Sequence, residues 1–460
     1  MKINQNLSPQ TLKNDLDNVW EHSARKIHLI RKEYDTDKGS PVFTEAGKYT
    51  TRGWTEWTQG FQFGGEILQF DATGDTGFLK LGRQATLDLM APHITHIGVH
   101  DHGFNNVSTY GSLLRLLNEG KFEAGDWEKN FYELALKSTG AVQAARWTKT
   151  ADGIGFIHSF NGPHSLFVDT VRTLRALSLS HTLGHALFAE HDEKISLLGR
   201  LIEHATMTAR YSVYYGEGRD AYDLWGRTTH EAIFNVTDGQ FRCPNSQQGY
   251  SPFSTWTRGL SWAMCGFPEQ LEFLNTVSDE ELEPFGGRDE VETMMLKAAK
   301  ATCDFYIDNS SADGIPYWDT GAPNLHKLGD YTASDADPYN EHEPVDSSAA
   351  AIGAQGLLRL GSYLKNAGKT EEGDRYYQAG LTVASTLFKE PYLSTDDAHQ
   401  GLLLHSVYHR PNGWDYIPDG QSVPCGESSM WGDYHMRELA LCLTRMANDE
   451  PYYTFFNEIG

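Results

Sequence analysis

The chain has few of the features that mark a secreted scaffold, a thiolate metal site or a membrane protein. Its five cysteines, Cys243, Cys265, Cys303, Cys425 and Cys442, are odd in number, widely spaced and never arranged as CxxC. That pattern speaks against a disulfide framework and a thiolate zinc site and favours reduced thiols. No stretch approaches the roughly 18 apolar residues of a membrane span, and the start, MKINQNLSPQ, lacks the apolar run of a secretory leader. A cytoplasmic protein is the expectation; a periplasmic one would require a leader already trimmed. Positive charge is scarce as well, with 38 Lys and Arg against 62 Asp and Glu, a net charge of −24. Such a field repels phosphate backbones and anionic membranes, so neither nucleic acid nor a membrane is an expected partner. A small anionic substrate stays open, because screening limits the field to about 10 Å and a local arginine can dominate inside a pocket. Finally, no Pro- or Ser-rich linker cuts the 460 residues and no fixed-period repeat divides them. A single domain over 1–460 follows.

Helical periodicity is abundant. In EEGDRYYQAGLTVASTLF, Tyr377, Gly380, Leu381, Ala384, Leu387 and Phe388 share one helix face. Comparable segments lie near 10–33, 56–73, 76–91, 103–120, 123–139, 165–186, 193–213, 254–275, 289–308, 347–366 and 431–447. Turn signals such as ATGDTG (72–77), NAGKTEEG (366–373) and SADGIP (311–316) separate them, as helical hairpins require. Twelve helices in one run predict an all-α toroid of six hairpins. Two long polar stretches, 214–253 and 317–345, read as loops that wall or cover a pocket.

Candidate pocket residues form several clusters. WTEWTQGFQFGG (54–65) sets Trp54 and Trp57 beside a Gly-rich segment, a combination suited to stacking on a sugar ring. VHDHGF (99–104) supplies Asp101 between two histidines. SLFVDTVRTL (165–174) places Asp169 in an apolar stretch read as helical, where burial would raise its pKa toward that of a proton donor. Arg172, three residues on, offers the plainer role of ion-pair partner for Asp169. TTHEAIF contributes His230, and QQGYSPFSTWTRGLSW contributes Gln247, Gln248, Arg258 and Trp262, the last two sharing a helix face. The tryptophans are also natural core residues. The histidines at 93, 96, 100 and 102 match no closed metal-ligand spacing, so no metal is expected. The residues by themselves describe a helical toroid with a carboxylate- and aromatic-lined cleft suited to carbohydrate, without naming a reaction.

Seven motifs in order, WTQGFQFGG, HDHGF, VD at 168–169, QGYSPFSTWTRGLSWAMCGF, YWDTGAP, DSSAAAIGAQGLLRLG and WGDYHMRELALCL, resemble the unsaturated glucuronyl hydrolases of glycoside hydrolase family 88, from about Trp54 to Leu443. The resemblance implies an (α/α)6 barrel and no cofactor. It also implies a glycosidase that hydrates the C4=C5 double bond of a non-reducing-end unsaturated uronate: C4 is protonated, water adds at C5, and the hemiketal opens to release the aglycone. One carboxyl group then serves as acid and base. Asp169 resembles that acid/base. Asp101 resembles its partner, holding sugar hydroxyls and helping to keep Asp169 protonated. His230, Gln248, Arg258, Trp262 and Trp57 match substrate-binding positions, with Arg258 the candidate to offset the substrate's negative charge. The expected partner is an unsaturated uronate-containing oligosaccharide.

The chain departs from the family in four places. Gln247 stands where HQG is common, Thr-Val-Arg follows Asp169 in place of an apolar run, Phe160 takes the place of a stacking tryptophan, and the stretch 405–434 is longer than usual. These bear on the leaving sugar more than on the chemistry. Related rhamnogalacturonyl-type hydrolases, a sugar epimerase of the same barrel type and a catalytically inactive carbohydrate-binding barrel are the competing readings.

Overall fold

The computed structural model describes residues 1–52 and 57–456. Each of the twelve expected segments contains a helix. Six carry one exposed face: Lys13–Glu33, Thr76–Leu89, Asp126–Ala145, Leu197–Tyr211, Arg288–Asn309 and Thr370–Leu387. The six that alternate with them are buried almost all round, as helices of an inner ring must be. These are Gln59–Thr73, a helix running through His102–Asn106, a wide turn at Val107–Gly111 and Ser112–Asn118, the broken pair Thr170–Thr173 and Arg175–Thr182, Thr257–Leu274, Ser347–Asn366 and Met430–Ala447. Inner helices pack against their neighbours in order, and Met430–Ala447 packs on Gln59–Thr73, which closes the ring. The architecture is an (α/α)6 barrel, its apolar core lying between the two rings.

Local chemistry sets the hairpins. In ATGDTG, Gly74 at φ +71° ends the first helix, and the Asp75 carboxylate caps the next by accepting from the Gly77 N–H at 2.8 Å. Ser196, Asp346 and Ser429 cap later helices in the same manner. Among the described residues no helix is long and apolar enough to cross a membrane, and all five cysteines are unpaired.

Two expectations need correction. Residues 165–186 do not begin as helix: Ser165–Phe167 is a strand, and helix starts at Thr170. Nor is 214–253 simply a loop. It folds into Glu231–Phe234 and Phe241–Asn245, which complete a three-stranded antiparallel sheet with Ser165–Phe167. The apolar Ala232-Ile-Phe run and the β-branched residues around it carry that signal. The sheet continues as the Val168 N–H donates to the His230 carbonyl at 2.9 Å, so Asp169 and His230 leave it side by side. The stretch 317–345 contributes no lining to the cavity described below; it buttresses the wall from behind, with the Asp319 carboxylate accepting from the Tyr250 N–H at 2.8 Å.

Below the site, the inner helices enclose a charged network. Arg172 donates to Glu269 and, at 3.0 Å, to Glu438; Arg175 meets Glu438 at 3.4 Å. Tyr453, from the segment after the last helix, donates to Glu438 at 3.1 Å, and Tyr452 donates to Glu272 at 2.8 Å.

Candidate active site

The residues at or just before the N-terminal ends of the inner helices converge on one cavity of about 430 Å³. Asp101 precedes His102, Asp169 precedes Thr170, Trp57 precedes the Gln59 helix, and Arg258 is the second residue of its helix. Of the residues singled out from sequence, Trp57, Asp101, Phe160, Asp169, Gln248, Arg258 and Trp262 line this cavity. His230 stands directly behind Asp169, with Nε2 3.9 Å from Asp169 Oδ1. Trp54 lies outside the described residues.

Asp169 is buried. Oδ2 faces His100 Nε2 at 2.9 Å, while Oδ1 has no partner among the described residues. Burial pushes its carboxyl up, but the hydrogen bond and charge of His100, with His230, outweigh it and hold it below the ordinary aspartate value. The expected upward shift is therefore reversed. Asp101 goes the other way: burial and the nearby Asp169 charge lift it, with His100 opposing. The charge of Asp169 thus adds to burial in raising Asp101, the inverse of the expected influence. Arg172 does not pair with Asp169; it points down the barrel to Glu269 and Glu438.

His230 has a defined tautomer. Its Nδ1 accepts from the Gln247 and Gln248 backbone N–H groups at 2.9 and 3.3 Å, so Nε2 carries the hydrogen that faces Asp169. Burial lowers its pKa to about 4, which leaves the ring neutral near neutrality. Arg258 is almost fully committed. Nη1 donates to Asp346 at 2.7 Å and to the Val407 carbonyl at 2.5 Å; Nη2 donates to the Tyr408 carbonyl at 2.7 Å and to Gln248 Oε1 at 3.1 Å. Its guanidinium lies between Trp256 and Trp431, 4.6 and 5.1 Å from their ring centres. Asp346 already answers its charge, so Arg258 rivets the wall together and fixes Gln248, whose amide NH2 remains as a donor.

The aromatic residues divide by depth. Trp262 forms the floor, 4.7 Å from Phe104 and edge-on to His435 at 5.0 Å. Trp57 is half-buried and stacks on Trp431 at 5.0 Å. Phe160, 51 % exposed, flanks the mouth above His100. Sequence reading missed the outer wall, where Trp414 packs on Tyr408 at 5.3 Å and Arg52 lies over both rings. The longer stretch at 405–434 was its one available signal. It also missed the partnership of His100, although it quoted the residue's motif. Of the other histidines in HITHIGVHDH, His93 faces Gln59 at 2.9 Å and His102 faces Thr139 at 2.6 Å. His100, Asp101 and Asp169 place one potential donor atom each within 4.8 Å of one another. Within the trio, His100 Nε2 and Asp169 Oδ2 lie at hydrogen-bonding distance, while Asp101 Oδ1 stands 3.8 Å from His100 Nε2.

The barrel thus sets a carboxylate- and aromatic-lined cleft at the N-terminal ends of its inner helices. No protein-family model matches the sequence. The chain is 25% identical to an unsaturated glucuronyl hydrolase of Formosa agariphila over 385 residues, 83% of this chain and 78% of that protein. It is also 25% identical to the unsaturated glucuronyl hydrolase of Bacillus sp. (strain GL1) over 420 residues, 89% and 92% of the two chains. Among solved structures, an unsaturated glucuronyl hydrolase with the saccharide dGlcA-Glc-Rha-Glc superimposes with a TM-score of 0.71 at 20% identity, covering 98% of this chain and 100% of that one. One specific for heparin gives a TM-score of 0.70 at 19% identity, covering 95% and 98%. Over most of its length the chain is thus similar to unsaturated glucuronyl hydrolases.

Proposed function

We propose that this protein hydrates the C4=C5 double bond of an unsaturated glucuronyl residue at the non-reducing end of a lyase-generated oligosaccharide and so releases the aglycone sugar. Residues 1–460 act as one catalytic unit in this reading, and the five unpaired cysteines suit a reducing, cytoplasmic setting. The observation that carries the reading is the Asp169 carboxyl: one oxygen bonded to His100, the other unpartnered beside the His230 N–H, both in an aromatic-lined cavity.

Asp169 protonates C4. The C4=C5 electron pair forms the new C–H bond, and the positive charge left at C5 is shared with the ring oxygen. Asp169, now ionised, takes a proton from the water that attacks C5, and the hemiketal opens to expel the aglycone. The neutral His230 N–H orients that water or a ring oxygen without competing for the proton. Carboxyl oxygens of Asp101 and Asp169 within 4.8 Å of each other leave no room between them for the water of an inverting displacement. Asp101 holds sugar hydroxyls, Trp57 and Trp262 give the ring apolar surfaces, and Gln248, fixed by Arg258, donates to an oxygen of the uronate. Phe160 and Trp414, on the rim, receive the leaving sugar.

The test follows the ultraviolet absorbance of the conjugated double bond in a panel of lyase-generated unsaturated disaccharides, rhamnogalacturonan-derived members included. Wild-type protein is expected to bleach some members, while Asp169→Asn falls at least about a thousand-fold with binding retained. Bleaching by Asp169→Asn at the wild-type rate would remove the assignment. No bleaching anywhere in the panel would favour a carbohydrate-binding barrel.

A further inference from the structure

His100 has no part in the steps above, although it is the residue bonded to the acid. Its buried ring is edge-on to Phe167 at 5.5 Å and stacked near Phe160 at 6.0 Å. Nε2 sits 2.9 Å from Asp169 Oδ2 and 3.8 Å from Asp101 Oδ1. His102, by contrast, has both nitrogens engaged, with Thr139 and the His96 carbonyl, while His230 and His435 each bond through Nδ1 alone. The Nδ1 of His100 has no partner among the described residues, so gain or loss of a proton at this ring breaks no second protein bond.

We infer that His100 is a positioning residue that stores the proton Asp169 delivers to C4. This rests on the hydration reading above. The titratable and charged groups around the ring are Asp101, Asp169, Arg146, His102, His158, His204 and His230. Arg146, whose guanidinium donates to the carbonyls of Ile97, His158 and Ser159, opposes a charge on His100. Burial takes His158 and His230 to about 4 and His102 and His204 to about 3, so these rings stay neutral. At His100 burial also works against the charge, but Asp101 and Asp169 outweigh it and lift the pKa above its ordinary value.

The resting state is then an imidazolium–carboxylate pair. Substrate entering the cavity displaces water, and a drier surrounding favours the uncharged form of the pair. The Nε2–H bond breaks as the Oδ2–H bond forms, and the net charge of the pair stays at zero. The carboxyl hands this proton to C4; the proton later taken from the attacking water returns to Nε2. One proton leaves and one returns per turnover, so no co-reactant is needed.

Two measurements test the inference. Nitrogen-15 NMR of the free protein is expected to show the His100 ring titrating above the ordinary value of about 6.5 and dropping in Asp169→Asn. A His100 signal that titrates below that value in the wild type overturns the inference. The second compares pH profiles of kcat/KM for wild type, His100→Gln and His100→Asn. Without the imidazole, Asp169 must hold its own proton, so the alkaline limb is expected to move at least about one unit to lower pH. His100→Gln then stays within about ten-fold of wild type at acid pH and falls far further at alkaline pH. A loss of the same size at every pH marks a packing role and overturns the inference alone, as does an unchanged profile. Absence of turnover by the wild-type protein on the whole panel overturns the hydration reading, and this inference with it.

Discussion

Two aspartates buried in one cavity would both be expected to hold protons more tightly than in water, yet only Asp101 does. What separates them is one imidazole placed 2.9 Å from Asp169 and 3.8 Å from Asp101. A hydrogen bond at the shorter distance stabilises an ionised carboxylate, which a charge without a bond at the longer distance does less well. Arg258 teaches the same lesson. Its position in STWTRG was legible, but the partners that consume its donors, Asp346, Val407 and Tyr408, come from remote parts of the chain. Lysine cannot reproduce that fork of donors. Arg258→Lys is therefore expected to destabilise the protein by about 3 kcal/mol through the broken buried pair. It should also raise KM as Gln248 loses its anchor; thermal unfolding and steady-state kinetics read the two effects.

At the scale of elements, the sheet and one glycine set the distance between the carboxylates. The strand Ser165–Phe167 fixes where Asp169 emerges, and its pairing with Glu231–Phe234 puts His230 alongside. Gly103, two residues after Asp101, lies against the turn that follows Asp169: a Cβ there would meet the Thr173 carbonyl oxygen at 2.3 Å and its Cα at 2.6 Å. That is why the motif reads HDHGF. Gly103→Ala is expected to cost about 1–3 kcal/mol by overpacking and to lower kcat more than it raises KM, because the two helix starts are forced apart; a melting curve beside kinetics checks both. Helices were readable here because a 3.6-residue apolar period extends over many turns. The three-residue strand was not, because it is too short to establish a period and is held by partners some 65 residues later.

The whole molecule explains how a chain of net charge −24 would receive the anionic sugar proposed for it. The long inner helices start at the cavity, so the positive ends of their dipoles face it while most acidic side chains face solvent or the floor. At the floor, burial pushes the Glu438 carboxyl up, but Arg172, Arg175 and His435 overcome it and hold it far below the usual carboxylate range. A depressed folded-state pKa contributes stability above the unfolded value, about 4.3, that is lost as pH falls below it. Glu438→Gln is expected to cost about 3–5 kcal/mol at neutral pH, since it leaves two buried arginines short of a counter-charge. The difference in stability between wild type and variant should shrink below about pH 4, as denaturant unfolding at several pH values would show. A difference that stays constant with pH would place the ionisation of Glu438 outside the stability of the floor.

From the sequence alone came the twelve-helix count, the identity of the two carboxylates and most of the residues that line the cleft. Helical periodicity, turn residues and short motifs are local properties, encoded within a few turns of chain. Only the tertiary structure decided that Asp169 pairs with His100 and not Arg172, that Arg258 serves the wall, that His230 presents a neutral N–H, and that Asp101 and not Asp169 is lifted. Each of these depends on distances between segments tens to hundreds of residues apart, and both the proton affinity of a buried group and its choice of partner are functions of distance.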